Sequence, residues 1–275
     1  MSRKRNQKKK KAQKHSQIGC IITILVLIPV FYGLYLYFQQ SETLPSFPDK
    51  TVKIPTTSIR KEQIIHHTGY SVSYNENLRL PNWVAYELTR QETQGNAKRT
   101  DRFITDPSVK GIIATNADYA RSGYDKGHMA PAADMKWSNT AMKESFYFSN
   151  MCPQHPELNR RKWKDLEEKI RDWAITDSAI IIICGPIIEK TPQKIGKNKV
   201  TVPQKFFKVI LSPFTTSPKA IGFLFKNGRS VSPLATYAVS VDSIETLTGM
   251  DFFAPLPDDL ENKIESQVNC DQWGL

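Results

Sequence analysis

The chain has 275 residues, of which 40% are apolar and 24% are charged. This composition is typical of a globular protein and excludes a largely disordered one, and the length allows one large domain or two small ones. The net charge of +11 suggests a nucleic-acid-binding surface, but residues 1–17 alone carry eight Lys or Arg and no acid. The remaining chain holds 30 basic and 27 acidic residues, so the excess charge belongs mostly to the tail and indicates little about a binding surface.

An apolar run directly follows the basic tail. Residues 18–38, IGCIITILVLIPVFYGLYLYF, contain no charged side chain. As an α-helix this run would be roughly 31 Å long, which matches the hydrocarbon core of a bilayer. The run is longer than the apolar part of a usual secretory signal, and no small-residue cleavage site follows it. We therefore predict one uncleaved transmembrane anchor at 18–38, with a removed signal sequence, and hence an exported protein, as the alternative.

The basic tail predicts the orientation of this anchor. Lys and Arg remain on the cytoplasmic side of a membrane, so residues 1–17 are predicted to be cytoplasmic and the bulk of the chain extracytoplasmic. A basic tail can also be a nuclear-localisation or nucleic-acid-binding segment, but that alternative leaves the adjoining apolar helix unexplained. Residues 39–63, with several Pro, Ser and Thr, are predicted to be a linker, and residues 64–275 a single folded domain.

Short apolar segments of this domain are typical of strands. The predicted strands are 82–89, 145–150, 179–184, 205–211, 220–225 and 236–241. The best predicted helix is 158–174, whose apolar residues repeat mostly every three or four positions and form one buried stripe. These residues are Trp163, Leu166, Ile170, Trp173 and Ala174. A second helix is predicted at 243–250, and the mixture of strands and helices predicts an α/β domain of the α+β-like kind.

The segment SGYDKGHMAPAADM places His128 directly after Gly127, with Asp125 and Lys126 before them. A histidine can accept a proton near neutral pH, and a glycine lets the backbone bend so that the ring can approach a substrate closely. The ammonium group of Lys126 would suit a phosphate. By themselves, however, these residues also fit a structural histidine in a loop.

Further along the chain, the predicted helix 158–174 carries Asn159 near its start and Glu167 two turns later. With Trp163 between them, the three residues are spaced i, i+4 and i+8 and are predicted to share one ridge of the helix. An amide oxygen and a carboxylate on one ridge can hold a hard cation such as Mg²⁺, directly or through water. The alternative is that Asn159 is a helix cap and Glu167 a solvated surface residue.

Taken together, these motifs resemble the non-specific DNA/RNA endonucleases with a ββα-metal site, a family that includes secreted bacterial nucleases and mitochondrial endonuclease G. The resemblance rests on DKGH followed by SN, PQ, LN, W and LE between 149 and 167, and on similar segments from 67–75 to 241–249. It implies a central, mostly antiparallel sheet flanked by helices, with a ββα-metal catalytic motif. It also implies an enzyme that hydrolyses phosphodiester bonds of DNA and RNA with little sequence preference.

The resemblance further implies roles for individual residues. His128 corresponds to the general base of the family, which deprotonates the attacking water. Asn159 corresponds to the direct protein ligand of Mg²⁺, and Glu167 to the carboxylate that holds the waters of the ion. Asn150 corresponds to the site asparagine in SN. Mn²⁺ is expected to be able to replace Mg²⁺.

Two positions bear on the recognition of phosphate. Arg99 is matched to the family's arginine near the phosphate, with Arg102 as the alternative because the spacing there is not fixed. The family usually has Asp-Arg-Gly-His where this chain has Lys126 in the second position. Lysine keeps the positive charge but loses the bidentate contact that arginine makes with phosphate. With the ordinary histidine pKa of about 6.5, activity is expected to fall below about pH 6.

The sequence therefore favours a membrane-anchored, Mg²⁺-dependent endonuclease whose partners are DNA, RNA and the membrane. Its oligomeric state is left open, with a homodimer as one option. One alternative is a catalytically silent, membrane-anchored nucleic-acid-binding protein in which Lys126 marks lost catalysis. Another is a membrane adaptor whose domain binds protein. The presence of His128, Asn159 and Glu167 together favours the enzyme, because neither alternative needs all three.

Overall fold

The computed structural model describes residues 52–53 and 62–275. The predicted tail at 1–17, the predicted anchor at 18–38 and most of the predicted linker at 39–63 lie outside these described residues. In the part of the chain that is described, no helix is both long enough and apolar enough to cross a membrane. The described residues all fall within one compact unit, Pro48–Leu275.

A seven-stranded sheet forms the centre of this unit. Its strands are β2 (Gln63–His66), β3 (Ser71–Asn75), β4 (Leu80–Thr89), β7 (Ala179–Ile187), β10 (Lys205–Ser212), β11 (Lys219–Lys226) and β12 (Ala238–Val239). Across the sheet they lie in the order β12, β11, β10, β7, β4, β3, β2. Every neighbouring pair in the sheet is antiparallel, as the resemblance implied. Strand β7 lies between β4 and β10 and is buried along almost its whole length, which explains its uninterrupted run of isoleucines.

Three two-stranded ladders and five α-helices accompany the sheet in the described part of the chain. The ladders pair β1 (Val52–Lys53) with β13 (Asp251–Phe252), β5 (Asp125–His128) with β6 (Met151–Gln154), and β8 (Lys194–Ile195) with β9 (Val200–Thr201). The α-helices are α1 (Asn116–Tyr119), α2 (Asn139–Glu144), α3 (Trp163–Asp177), α4 (Val241–Thr248) and α5 (Asp258–Glu265).

Helix α3 confirms the apolar stripe predicted for residues 158–174. The five residues of that stripe are the buried residues of α3. Trp163 packs its ring against Phe206 and Phe225, with centroid distances of 5.7 and 6.1 Å. This stripe therefore fixes α3 on the sheet, because large aromatic side chains contribute much of the free energy of burial.

The predicted strand at 145–150 is wrong. Ser138 caps α2 by accepting hydrogen bonds from the amides of Thr140 and Ala141, and α2 ends at Glu144. A short 3₁₀ turn, Phe148–Asn150, then leads into β6. The aromatic residues of this segment are buried without joining the central sheet, so their apolar character reflects burial in the core and not strand pairing.

The prediction for 236–241 holds for only two residues, since β12 is Ala238–Val239. Ser240 ends the strand because its hydroxyl accepts a hydrogen bond from the Ser243 amide and caps α4. The helix predicted at 243–250 therefore begins at Val241 and ends at Thr248. Gly249 follows it with φ +67°, a left-handed conformation that glycine adopts without steric cost.

Candidate active site

Two short strands and a helix build the candidate site. Strand β5 pairs antiparallel with β6, which sets His128 opposite Met151. The chain then enters a π-helical turn, Leu158–Lys162, that continues into α3. Trp163 Nε1 donates a hydrogen bond to the carbonyl oxygen of His128 over 3.3 Å, which ties the helix to the strand. This is the ββα arrangement that the resemblance implied, although DKGH is a strand and not a loop.

Gly127 does not provide the predicted backbone bend. It pairs with Cys152 in the middle of the β5–β6 ladder, and its φ is not positive. A Cβ atom at this position would collide with the side chain of Gln154. Glycine is therefore required by the close packing of Gln154 over β5.

A cavity of about 660 Å³ opens over the ββα unit. Five of the six residues predicted for the site line it, namely Arg99, Lys126, His128, Asn159 and Glu167. The sixth, Asn150, does not. Residues up to 68 positions apart in the sequence therefore meet in one space that could admit a substrate.

His128 is held between two aromatic rings in this cavity. Its ring centroid lies 5.6 Å from that of Phe103 and 5.0 Å from that of Phe146. Its Nε2 is sealed from solvent and has no hydrogen-bond partner among the described residues, which leaves Nδ1 as the nitrogen available to the cavity. Burial, followed by the positive charge of Arg99, lowers the pKa of His128 to about 3. The ring therefore stays neutral well below pH 6, unlike the expectation based on the ordinary pKa.

Asp125 orients the side chain of Asn159. The Asn159 Nδ2 group donates a hydrogen bond to Asp125 Oδ2 over 2.9 Å, and only the NH₂ end of an amide can donate to a carboxylate. The Oδ1 atom is the end left for a ligand. Arg160 holds the same carboxylate through two bonds, of 2.8 and 2.7 Å, so the Asp125 carboxylate is fixed from a second side. These contacts lower the pKa of Asp125 although burial opposes them.

Glu167 lies over a group of buried charges. Burial raises its pKa to about 7, while the charges of Lys208 and Arg171 oppose this rise and that of Asp134 adds to it. Asp134 is fully buried, accepts a hydrogen bond from Arg171 over 2.7 Å and accepts a second from the Tyr86 hydroxyl over 2.9 Å. This network lies close enough to Glu167 for its charges to shift the pKa of that carboxyl group.

The predicted ridge of Asn159, Trp163 and Glu167 is only partly correct. Asn159 and Glu167 both line the cavity, but Trp163 between them is buried in the core. Asn159 lies in a π turn, in which the Trp163 amide bonds to the carbonyl of Leu158, five residues back. Such turns contain one residue more than an α-helical turn and often occur at functional sites.

Four cationic side chains line the same cavity. Arg99 places its guanidinium carbon 5.0 Å from the centre of the Phe146 ring and also pairs with Asp101. Lys126 places its Nζ 4.4 Å from the centre of the Phe103 ring and donates to Asn116 Oδ1 over 3.3 Å. The other two are Lys164 and Arg171. Arg102, the alternative to Arg99, does not line the cavity and is exposed.

Sequence reasoning did not find Arg171, Lys164 or the positioning contacts of Asp125. Arg171 follows Glu167 by four residues and Lys164 precedes it by three, so both lie on the helix face that carries Glu167. This spacing is the feature of the sequence from which a place for both residues at the site could have been predicted. Basic residues are common on helix surfaces, however, and nothing in the sequence shows that this face borders a cavity.

Asn150 lies behind the wall of the cavity. It is fully buried, and its side chain accepts a hydrogen bond from the Ala130 amide and donates to the carbonyls of Ala130 and Ser145, at 2.8–2.9 Å. These contacts hold the segment directly after His128. They indicate a role in positioning the histidine rather than in contacting substrate.

We expect Asn150→Ala to lower the free energy of unfolding by about 3–5 kcal/mol, because three buried backbone groups lose their partner. Urea unfolding would measure this change. As the matched control, Asn96→Ala should change stability by less than about 0.5 kcal/mol, since Asn96 is exposed. Unchanged stability of Asn150→Ala together with lost activity would contradict the positioning role.

The donor set fits a hard divalent cation. The free Oδ1 of Asn159 and the carboxylate of Glu167 both border the cavity, and neutral or anionic oxygens are the ligands that Mg²⁺ prefers. Neither the buried thiols nor further histidines border the cavity among the described residues, so nothing there favours a softer metal.

Comparison with known proteins identifies the family. A sequence model of the DNA/RNA non-specific endonucleases matches residues 48–259. The chain belongs to this family. As the family's members are nucleases, it is a hydrolase, and its fold is the predicted mixed α/β domain with a large antiparallel sheet. The family is one of metal-dependent nucleases.

Several relatives cover most of the chain. Mitochondrial nuclease EXOG of Xenopus laevis is 35% identical over 250 residues, which cover 82% of this chain and 69% of the relative. A nuclease of Nostoc sp. is 32% identical over 227 residues, covering 78% of this chain and 82% of the relative. Human mitochondrial endonuclease G is 33% identical over 205 residues, covering 69% of each. The family assignment is therefore supported across bacterial and animal relatives.

Among solved structures, a chain from the complex of EndoG with its inhibitor EndoGI is similar to this one. The TM-score is 0.67 at 31% sequence identity, and the match covers 72% of this chain and 88% of that chain. The endonuclease fold thus accounts for most of the described residues.

Proposed function

We propose that this endonuclease hydrolyses phosphodiester bonds of both DNA and RNA, with His128 as the general base and Mg²⁺ bound at Asn159 and, through water, at Glu167. Mn²⁺ would replace Mg²⁺. The observation that carries this proposal is the convergence of the three side chains on one cavity that is also lined by four cationic groups. When bound, the ion would supply positive charge to the departing 3′-oxygen.

Side chains of the protein would accept the proton, orient the metal ligand and neutralise the phosphate. His128 Nδ1 accepts a proton from the attacking water, because the ring is neutral and held by Phe103 and Phe146. Asp125 turns the amide of Asn159 so that its oxygen faces the cavity. Arg99 and Lys126 neutralise the phosphate, as expected for backbone recognition without base readout.

Lys126 suits the neutralisation of a phosphate, although lysine lacks the bidentate contact that arginine makes with phosphate. Its ammonium group is held by the Phe103 ring and by Asn116, so it offers a fixed point charge at the cavity rim. Arg99 borders the cavity, whereas Arg102 does not, and it would supply a guanidinium for the planar contact with phosphate oxygens.

The proposal for location rests on the amino-acid sequence. Residues 18–38 would anchor the chain in a membrane, the basic tail would remain in the cytoplasm, and the nuclease domain would lie on the extracytoplasmic side. EXOG and endonuclease G among the relatives are named as mitochondrial proteins. For this endonuclease, the basic tail and the apolar run that follows it support a location at a membrane.

We expect the purified full chain in detergent to degrade plasmid DNA and RNA in Mg²⁺ or Mn²⁺, and to lose this activity on chelation and regain it when Mg²⁺ is restored. Gel assays of both substrates measure the cleavage. Binding of DNA without cleavage in either metal would overturn the proposed hydrolysis and favour a silent nucleic-acid-binding protein. Cleavage that persists in chelator would overturn the proposed role of the ion.

A further inference from the structure

Three carboxylates meet at the junction of α4 and α5, outside the catalytic cavity. Asp242 and Glu245 lie one turn apart on α4, and Glu265 is the last residue of α5. One carboxylate oxygen from each residue lies within 4.8 Å of those of the other two. None of the three borders the catalytic cavity.

One buried carboxyl oxygen of this cluster has no partner among the described residues. Glu265 is only 4% exposed, and its Oε1 is sealed from solvent with no hydrogen-bond partner among them.

A buried carboxylate without a partner is costly, because it has lost its water without gaining a hydrogen bond or a counter-charge. We propose that Asp242, Glu245 and Glu265 bind a second divalent cation, of the Ca²⁺ class, at a site separate from the catalytic one. The ion would supply the missing partner to the sealed oxygen of Glu265. Asp242 is exposed and gives the ion a path from solvent.

The choice of Ca²⁺ follows from the ligands. All three are carboxylates, so soft metals that prefer thiolate or imidazole have no suitable donor. Mg²⁺ demands near-octahedral geometry and usually takes only one or two carboxylates while keeping several waters. Ca²⁺ accepts six to eight oxygens in flexible geometry, and three carboxylates from two helices with added water meet that requirement.

The site would join three elements of the C-terminal part of the chain. Its ligands come from α4 and α5, and Glu245 Oε1 also accepts a hydrogen bond from the Phe252 amide over 2.7 Å. Phe252 pairs with Val52 in the β1–β13 ladder. Bound Ca²⁺ would therefore hold both helices together. It would also stabilise β13, the strand that pairs with β1. Among the described residues, β1 is the segment nearest the N-terminus.

The test is thermal unfolding of the full chain in detergent, in an Asn159→Ala background that removes the proposed catalytic ligand. We expect 5 mM CaCl₂, compared with chelator, to raise the Tm of this parent by about 5–10 °C, as saturating binding to the folded state alone would do. Adding Glu265→Gln should reduce the rise to less than about 2 °C. Without Ca²⁺, Glu265→Gln should be at least as stable as the parent, because it removes an unpaired acid.

Adding Asp259→Asn is the matched control, since Asp259 is an exposed acid on the same helix, and it should keep the full Ca²⁺ response. If Glu265→Gln does not fold, Asp242→Asn tests the site at its exposed ligand and should likewise remove the response. Equal responses in the parent and in a ligand variant, or no response in the parent, would overturn the site. An equal or larger Tm rise with MgCl₂ would overturn the assignment to Ca²⁺.

Discussion

His128→Ala is expected to lower kcat about 100- to 10,000-fold, the usual contribution of a general base. The physical reason is that Nδ1 is the ring nitrogen available to the cavity, while Nε2 is sealed and without a partner. Binding of DNA should change little, because the cationic groups that line the cavity remain. Initial rates on plasmid DNA, together with equilibrium binding in chelator, measure the two effects separately.

His155→Ala is the matched control. His155 does not border the cavity, and its Nδ1 accepts a hydrogen bond from the Glu157 amide over 3.2 Å, so we expect its rate to stay within about threefold of wild type. Added imidazole should partly restore His128→Ala, because the two aromatic rings around His128 would leave a slot of the right shape. A His128→Ala enzyme that cuts at the normal rate would remove His128 from the mechanism.

Asn159→Ala is expected to lower activity by at least about 100-fold at fixed Mg²⁺, because loss of a residue that only orients a metal ligand already costs about 10- to 100-fold. The concentration of Mg²⁺ needed for half-maximal rate should rise. Asn159→Asp, which keeps an oxygen donor, should recover part of the loss. Asn96→Ala, at an exposed position outside the cavity, serves as the control, and equal Mg²⁺ requirements in Asn159→Ala and Asn96→Ala would argue against Asn159 as the ligand.

The affinity for Mg²⁺ should depend on pH through Glu167. Since burial raises the pKa of Glu167 to about 7, its carboxyl group is mostly neutral below that pH and holds the waters of a cation poorly. Proton and metal compete, so more Mg²⁺ should be needed at pH 6 than at pH 8. His128 cannot cause such a change, because its pKa of about 3 keeps it neutral at both values. Mg²⁺ titrations of wild type and Glu167→Gln would separate the two residues, since the variant should lose the pH dependence.

Local patterns predicted the elements whose buried residues follow a pattern that is typical of one kind of secondary structure. The stripe of α3 is such a case, and so is the apolar run of β7. Segment 145–150 is not, because Phe146 and Phe148 are buried while Asn150 uses its side chain to hold Ala130 and Ser145. An apolar segment of six residues cannot show whether its backbone groups will bond to a strand or to a side chain.

The candidate site was predictable where a residue type by itself suggests a chemical role. His128, Asn159 and Glu167 were singled out by residue type and by the family resemblance, and all three line the cavity, as does Arg99, which was preferred to Arg102. The supporting contacts were not predictable, because Asp134 meets Arg171 across 37 positions and Lys208 reaches the same region from β10. Such pairings depend on how α3 lies on the sheet, which no local pattern specifies.

The π turn at Leu158–Lys162 has one consequence for evolution and engineering. A deletion of one residue there would give the backbone its regular hydrogen bonds again, and the shortened helix would be easier to form. The same deletion would swing Asn159 about 100° around the helix axis relative to Glu167, since each α-helical residue advances by that angle. A regular helix at this turn would therefore move Asn159 away from the helix face that carries Glu167, and selection for thermal robustness alone would tend to favour that change.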